Sequence, residues 1–400
     1  MNKTTLREQI LMYFMTYGTI ITEVFYILHE NRSYVSKLIS DMETDGLLAE
    51  KKLLIKDKGN KHYLRYKVIT GKGVEYTKAH FAGNHPWLKF LKSPIPKFTM
   101  TTTTNQKMLV RHLKSISAAI VFEQFDTGLS NGQLKTYYKG KSINFFDMVQ
   151  EAKNGYMEYS QSNIDQKQSG KNKYIHASNM RSYFKLNEDD VSQNKFHQHI
   201  GILITAESFF FVYDAKPEGT CLNIEGLARV QTACRDIFGQ FVDEYVLKRM
   251  GRVLAFTYSK NEFVKNYNTL SHCRTRAKGY RMDNLSAIYL MPMRYETRKL
   301  IRLMTEGVKD FTRTLMDRNA GITYGLSAPT YSHEKSFYLN YEGKPAVDGI
   351  LFDVTEIKEL CNKAKEKPKY EHILLCLDWQ KEYYEALKLP PNIRLQAVVI

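Results

Sequence analysis

Residues 5–80 carry the pattern that most narrows the fold: three apolar runs of helical period, then two of strand period, in about eighty residues. The first run, TTLREQILMYFMTYG, puts Leu6, Ile10, Tyr13 and Phe14 on one helix face. The second, TEVFYILHE, repeats Val24, Phe25 and Leu28. After the polar break Asn31-Arg32, the third run SYVSKLISDMETDGLL spaces Val35, Leu38, Ile39 and Met42 for a helix that Gly46 ends. LLAEKKLLIK and HYLRYKVIT then read as strands. The Asp57-Lys58-Gly59-Asn60-Lys61 segment between them has the composition of a hairpin tip.

Three helices followed by a basic hairpin is the order of a winged helix-turn-helix. In such a unit one helix enters the major groove of DNA and the hairpin lies along the backbone. With its apolar stripe inward, the third helix turns Arg32, Ser33, Tyr34, Ser36, Lys37 and Ser40 outward. Small hydroxyls, a Tyr and a Lys suit base-edge and phosphate contacts. Lys56, Lys58, Asn60, Lys61 and His62 form the expected wing, whose cations anchor phosphates and make binding salt-dependent. The competing reading is the same unit used only for protein docking or dimerisation.

The 400-residue chain carries a formal charge of +16, spread along its length. Such a field favours polyanionic partners, nucleic acid first. No apolar run reaches the roughly 20 residues that span a bilayer, and the N-terminus lacks a signal-peptide pattern, so a cytoplasmic location is expected. Cys221, Cys234, Cys273, Cys361 and Cys376 are scattered without a CxxC pair, which points to reduced thiols and against a cysteine zinc site.

The expected division is a DNA-binding domain at 1–82, a Pro- and Thr-rich linker at 83–105, an α/β region at 106–270 and a second at 271–400. Leu109, Leu113, Ile116 and Ile120 open the second region with a helix. QLKTYYKG is a possible strand, and the polar residues 155–179 read as an exposed or mobile loop. IGILIT and SFFFVYDA form a strand hairpin, and GLARVQTACRDIFGQFVDEYVLKRMG is a long helical run. SAIYLMPM, GKPAVDGILFDV, HILLCLDW and IRLQAVVI are strand-like and alternate with helical TRKLIRLMTEGVKDFTRTLMD, TEIKELCNKAKEK and QKEYYEALK. That alternation implies an α/β fold class, α+β overall, with parallel strands toward the C-terminus. No internal repeat is visible.

Three constellations could carry chemistry. His197 and His199 sit two apart on a strand and so share a face that could hold one metal, with His176 a conceivable third ligand. Tyr245 and Lys248 form Tyr-x-x-Lys one helical turn apart. Together these resemble His-hydrophobic-His rolling-circle initiators and relaxases. That resemblance implies a divalent metal and a Tyr that attacks a DNA phosphate; the middle residue here is Gln198, where that family has an apolar one. Separately, Asp348, Asp353, Glu356 and Asp378 stand near strand ends, as nuclease carboxylates do, but without a Glu-x-Lys. An Asp at such a place is equally an N-cap. Lys139-Gly140-Lys141-Ser142 lacks the earlier Gly of a phosphate loop, and no serine nucleophile elbow is present, which disfavours ATP use and serine hydrolysis.

The order of parts, with HIGILIT-x4-FFVYDA and HILLCLDWQKEYYEALKLP, resembles replication-relaxation proteins of Gram-positive plasmids and integrative conjugative elements. The resemblance implies binding of double-stranded DNA in the replication or mobilisation of a mobile element, and hands over no catalytic residue. The expectation is a sequence-selective DNA-binding protein without a cofactor. Its larger part would form a homodimer or contact replication or transfer proteins. The alternatives are a metal-dependent nicking enzyme and a transcriptional repressor with a ligand-sensing C-terminal domain.

Overall fold

The computed structural model describes residues 5–57, 60–80, 173–176, 199–204, 209–214, 251–272, 287–306, 308–324 and 339–400, with Leu109, Leu113, Ile116, Ser117, Ile120 and Val121 between them. The fold is mixed α and β.

The N-terminal unit starts at a capping box. Thr5 N–H donates to the Glu8 carboxylate at 2.6 Å, and Glu8 N–H donates to the Thr5 hydroxyl at 3.3 Å, so two otherwise orphan donors are satisfied where α1 (Leu6–Tyr17) begins. Ile10, Tyr13, Phe14 and Tyr17 of α1 are buried. The second run is a 3-10 turn (Thr22–Ile27) rather than the expected regular helix. It is short, has no side-chain cap and carries β-branched Thr22 and Val24, so tertiary burial of Val24, Phe25 and Ile27 holds it rather than helical propensity. Asn31 caps α2 (Arg32–Thr44), its side chain accepting from Tyr34 N–H at 2.9 Å. The chain leaves α2 at Gly46 with φ +72°, a conformation costly for other residues. β2 (Leu48–Asp57) and β3 (Asn60–Ile69) form the hairpin in an unbroken antiparallel register. β1 (Thr19–Ile20) joins the other side of β3, and α3 (Gly71–His80) packs on α1. Both elements are additions to the sequence reading.

Two five-stranded sheets follow. One has the order β4 (Lys173–His176), β5 (His199–Ile204), β6 (Phe209–Asp214), β7 (Gly251–Thr257) and β8 (Ala287–Pro292). The other runs β9 (Ile322–Tyr324), β10 (Leu339–Tyr341), β11 (Lys344–Asp348), β12 (His372–Cys376) and β13 (Ile393–Ala397). Each is the same construction: three antiparallel strands, then two joined in parallel. The correspondence extends to single residues. Asp214 pairs with Phe256 as Asp348 pairs with Leu375. One residue further on, Met293 N–H donates to Thr257 C=O as Val398 N–H donates to Cys376 C=O. Asp214 is thus the counterpart of Asp348, and Leu290 that of Leu395.

This internal repeat corrects the sequence reading, which contains none. Phe210-Phe211-Val212 stands where Lys344-Pro345-Ala346 stands, so the ladder repeats while residue identity does not. β4 lies inside the segment expected as a loop: its polar residues suit an edge strand, which needs no apolar period. β7 and the helix after it, α4 (Lys260–His272), escaped the sequence reading, and β8 carries the first sheet past the expected boundary at residue 270. The single helical run expected at 297–317 is two helices, α5 (Thr297–Glu306) and α6 (Val308–Arg318). QLKTYYKG and the run from Gly226 to Gly251 fall outside the described residues, except Gly251, which starts β7.

The two sheets meet at one seam. β8 is an edge strand, yet all six of its residues are buried, because the turn after β11 covers its free side. Leu290 N–H donates to Phe352 C=O at 3.2 Å, Tyr289 bridges Asp353, and Ile288 N–H reaches the Asp353 carboxylate at 3.5 Å. Phe352 holds φ +53°, a strained conformation for a bulky residue. Its ring lies 5.0 Å from Phe263 of α4, 5.8 Å from Trp379 and 5.2 Å from Tyr384. Tyr384 belongs to α8 (Lys381–Ala386), which follows β12, and its hydroxyl donates to Gly349 C=O. A Cβ on Gly349 would stand 2.8 Å from Leu375 O and from a Leu374 methyl, so only glycine lets the turn approach β12 this closely.

Asp353 caps α7 (Val354–Glu366), accepting from Thr355 N–H at 2.8 Å. Asp348 accepts from Ile350 N–H at 2.8 Å. Burial pushes the Asp348 carboxyl up to about 7, the Ile350 N–H opposing and the Asp353 charge assisting. Burial also raises Asp353, against the N–H donors around it and the nearby Arg252 charge.

Two predictions follow from the seam. Phe352→Ala should cost about 3–5 kcal/mol, read as a lower denaturation midpoint, because the strained turn loses the ring that anchors it. A carboxyl raised above its unfolded value favours the fold when protonated. Stability should therefore fall as pH climbs from about 4 to about 7, and Asp348→Asn should flatten that slope in denaturation curves taken across the range. An unchanged slope would reject the assignment.

Candidate nucleic-acid interface

The polar face of α2 is exposed from end to end: Arg32, Ser33, Tyr34, Ser36, Lys37 and Ser40 all face solvent, while Val35, Ile39 and Met42 are buried. The six are not equally free. The Arg32 guanidinium lies 4.4 Å from the centre of the Tyr26 ring, and the Tyr26 and Ser36 hydroxyls are 3.0 Å apart. Tyr34 stacks obliquely on His29, with ring centres 5.0 Å apart, and is still 46% exposed. Ser33, Lys37 and Ser40 have no side-chain partner among the described residues and form the most available row.

The register of the hairpin defines the wing. Lys52 stands opposite Arg65, Leu54 opposite Tyr63, and Lys56 opposite Lys61. Because side chains alternate along a strand, these three pairs occupy one face of the ladder, and Leu53·Leu64 and Ile55·His62 the other. Leu53 and Leu64 are buried in the core, while Lys52 and Arg65 are exposed and Tyr63 is 65% exposed. Of the expected wing residues, Lys56, Asn60, Lys61 and His62 lie on the strands, and the register puts His62 on the face opposite Lys56 and Lys61. Lys58 falls outside the described residues.

Like charges directly across a ladder repel, typically by a few tenths of a kcal/mol. Between Lys52 and Arg65 that repulsion is relieved by Glu50, whose carboxylate lies 3.7 Å from Lys52 and 3.9 Å from Arg65. Lys52, Tyr63 and Arg65 were missed in the sequence, where KKLLIKDKGNKHYLRYK looks uniformly basic. The available signal was the alternation of Leu53 and Leu64 with their neighbours once the turn is centred on residues 58–59.

A buried ion cluster fixes the wing to α2. Lys67, only 8% exposed, donates to both Glu43 oxygens at 2.8 Å and to Glu50 at 2.9 Å. Burial alone would lower the Lys67 ammonium, but the bonds to Glu43 and Glu50 outweigh it and the net shift is upward. The Lys67 hydrogen bond holds Glu50 below the usual carboxylate range against its partial burial. Glu43 lies on the same side of α2 as Ser40 and Ser36, one and two turns on. The cluster thus sits between the exposed row of the helix and the cationic face of the hairpin, neutralising the nearest carboxylates.

The other constellations stand differently. His199 starts β5 beside a β-bulge, and His176 ends β4 opposite Gly201. His197, Tyr245 and Lys248 lie outside the described residues. The acids of the C-terminal sheet are spread over separate tasks. Asp348 and Asp353 hold turns, Glu356 sits in the first turn of α7, and Asp378 is exposed and paired with Lys381 at 3.0 Å. The ends of β11 and β12 are filled. The Gln380 amide accepts from Leu377 N–H at 2.8 Å and donates to Ile350 C=O at 2.7 Å, next to the Tyr384 hydroxyl. Among the described residues no three His, Cys, Asp or Glu side chains gather as a metal site, and no helix is long and apolar enough to cross a membrane. Comparison with protein-family models, curated proteins and solved structures finds no match to this chain.

Replacing Lys67 by Met leaves Glu43 and Glu50 facing each other. Both carboxylates keep partial water access, so the expected loss is about 1–3 kcal/mol, less than for a fully buried pair. Denaturation of Lys67→Met measures it, and the loss should shrink at pH values where Glu43 and Glu50 become protonated.

Proposed function

We propose that the N-terminal unit is a winged helix that binds double-stranded DNA, with α2 in the major groove and the β2–β3 hairpin on the phosphate backbone. The observation that carries this reading is the exposed Ser33, Lys37 and Ser40 row of α2 together with exposed Lys52 and Arg65 on the hairpin, which the Lys67–Glu43–Glu50 cluster ties to α2. Lys52 and Arg65 share the single Glu50 carboxylate with Lys67, so the hairpin keeps an excess of positive charge on this face, and duplex DNA offers a closely spaced row of anions to it. Ser33, Lys37 and Ser40 are short or flexible enough to reach base edges once the wing sets the register. Arg32, engaged with Tyr26, contributes less than its position suggests.

Among the described residues, the buried seam and the filled ends of β11 and β12 support a structural or assembly role for the second sheet. The wider role, in replication or mobilisation of a mobile element, rests on the order of parts in the sequence.

The test is fluorescence anisotropy of the full chain with a labelled duplex over a range of salt. The triple variant Lys37→Ala, Lys52→Ala, Arg65→Ala should bind at least tenfold more weakly at low salt. Its log–log salt slope should fall by about 2–3, since each lost phosphate contact removes roughly one. Equal affinity and equal slope in the variant would sink the reading. Ser40→Ala should leave the slope unchanged and reduce discrimination between duplex sequences.

A further inference from the structure

Through the end of α7 and beyond it, the chain sets a lysine at every second position: Lys363, Lys365, Lys367 and Lys369, followed by Tyr370. The loop that carries them is tied down at several points. Lys367 N–H donates to Lys363 C=O at 2.9 Å, and Tyr370 N–H to Lys367 C=O at 3.1 Å. The Asn392 side-chain amide, from the segment before β13, donates to the carbonyls of Ala364, Lys367 and Tyr370 at 2.9, 3.3 and 3.0 Å. One side chain thus satisfies carbonyls that the end of a helix leaves open. We propose that this loop is a contact surface for single-stranded nucleic acid, with the lysines on phosphates and the Tyr370 ring on a base. The proposal does not depend on duplex binding by the N-terminal unit.

Part of the lysine row has a local explanation. Lys363 pairs with Glu359 at 3.6 Å, and Lys363 and Lys365 lie in the last turn of α7, where cations offset the helix dipole. That effect fades beyond the last turn, so Lys367 and Lys369 gain little from it. Lys365, Lys367 and Lys369 are exposed and make no ion pair among the described residues. The acid that follows them, Glu371, is already shared: it pairs with Lys344, and with Arg394 at 3.6 Å. Strands β11, β12 and β13 run parallel, so Lys344, Glu371 and Arg394 lie at the same end of the sheet as the loop. Lys344, Lys365, Lys367, Lys369 and Arg394 stand there against Glu342, Glu366 and Glu371, which leaves an excess of positive charge.

Tyr370 decides the class of polyanion. Its side chain is 68% exposed, while its N–H and C=O are both engaged, the first by Lys367 and the second by Asn392. The backbone is therefore fixed and the ring offered to solvent. An open π-face beside cations is what a single strand uses, because unpaired bases stack on aromatic rings while the phosphates follow the positive charge. In a duplex each base face is covered by its neighbour, so a duplex would use the lysines and leave the ring idle. A membrane is a broad anionic surface that would also press on exposed Glu342 and Glu366, whereas a single strand can follow the lysine row.

The experiment titrates a labelled thymidylate oligomer of about 20 nucleotides with the full chain, read by fluorescence anisotropy. It is run in the Lys37→Ala, Lys52→Ala, Arg65→Ala background, so that the N-terminal surface contributes as little as possible and the two proposals fail separately. Adding Tyr370→Ala should weaken binding about tenfold, and Tyr370→Phe should leave it unchanged, because the phenyl face still stacks. Replacing Lys365, Lys367 and Lys369 together by Ala should lower the log–log salt slope by about 2, at roughly 0.7 for each single-strand phosphate. These side chains are exposed and the loop is held through its backbone, so the circular dichroism spectrum should not change. Full affinity in Tyr370→Ala, or an equal loss in Tyr370→Phe, would overturn the stacking role and with it the proposal. A chain that ignores the oligomer but binds phosphatidylserine vesicles through the same lysines would overturn it in favour of a lipid surface.

Discussion

The two-sheet part of the molecule depends on the backbone carbonyl of Phe352. It caps an edge N–H of β8, and it can do so only because Phe352 adopts a left-handed conformation that its own side chain disfavours. The strain is offset by packing: the ring is fully buried among Phe263, Trp379, Tyr383 and Tyr384, drawn from both repeats. Gly349 lets the turn lie against β12, and Gln380 ties Ile350 to the start of the next helix. One turn therefore closes an open sheet edge, starts α7 and joins two sheets into one core. The raised carboxyls of half-buried Asp348 and buried Asp353 are the electrostatic cost of bringing backbone turns so close to the interior.

The N-terminal unit distributes charge in the opposite way. Its interior cation, Lys67, is matched by Glu43 and Glu50, and Glu50 also takes the exposed Lys52 and Arg65 at longer range. The same cluster ties helix to hairpin, since Lys67 of β3 bonds Glu43 of α2 and Glu50 of β2.

The repeat gives the rest of the chain an economical explanation. A module of three antiparallel strands followed by two parallel ones always ends on an open strand, and an open strand invites pairing. Within the chain the second module covers the first.

Much of the N-terminal unit was legible in the sequence because its signals are local. The capping residues Thr5 and Asn31, the apolar stripe of Val35, Ile39 and Met42, and the stop at Gly46 act within a few residues of themselves. The strands β8, β11, β12 and β13 were legible as apolar runs. The 3-10 turn at Thr22–Ile27 was not, because burial of Phe25 against α1 decides its form. Nor was β4, whose polar residues carry no period. The repeat was hidden because hydrogen-bond ladders are made by backbone, and Phe210-Phe211-Val212 and Lys344-Pro345-Ala346 do the same work with different side chains. At the site, the sequence determined that α2 would offer a polar face and that the hairpin would be basic. Only tertiary structure decided which cations oppose each other, that Arg32 is engaged with Tyr26, and that Asp348 and Asp353 hold a seam. Charge and period are properties of a segment, whereas register, burial and partnership exist only between segments.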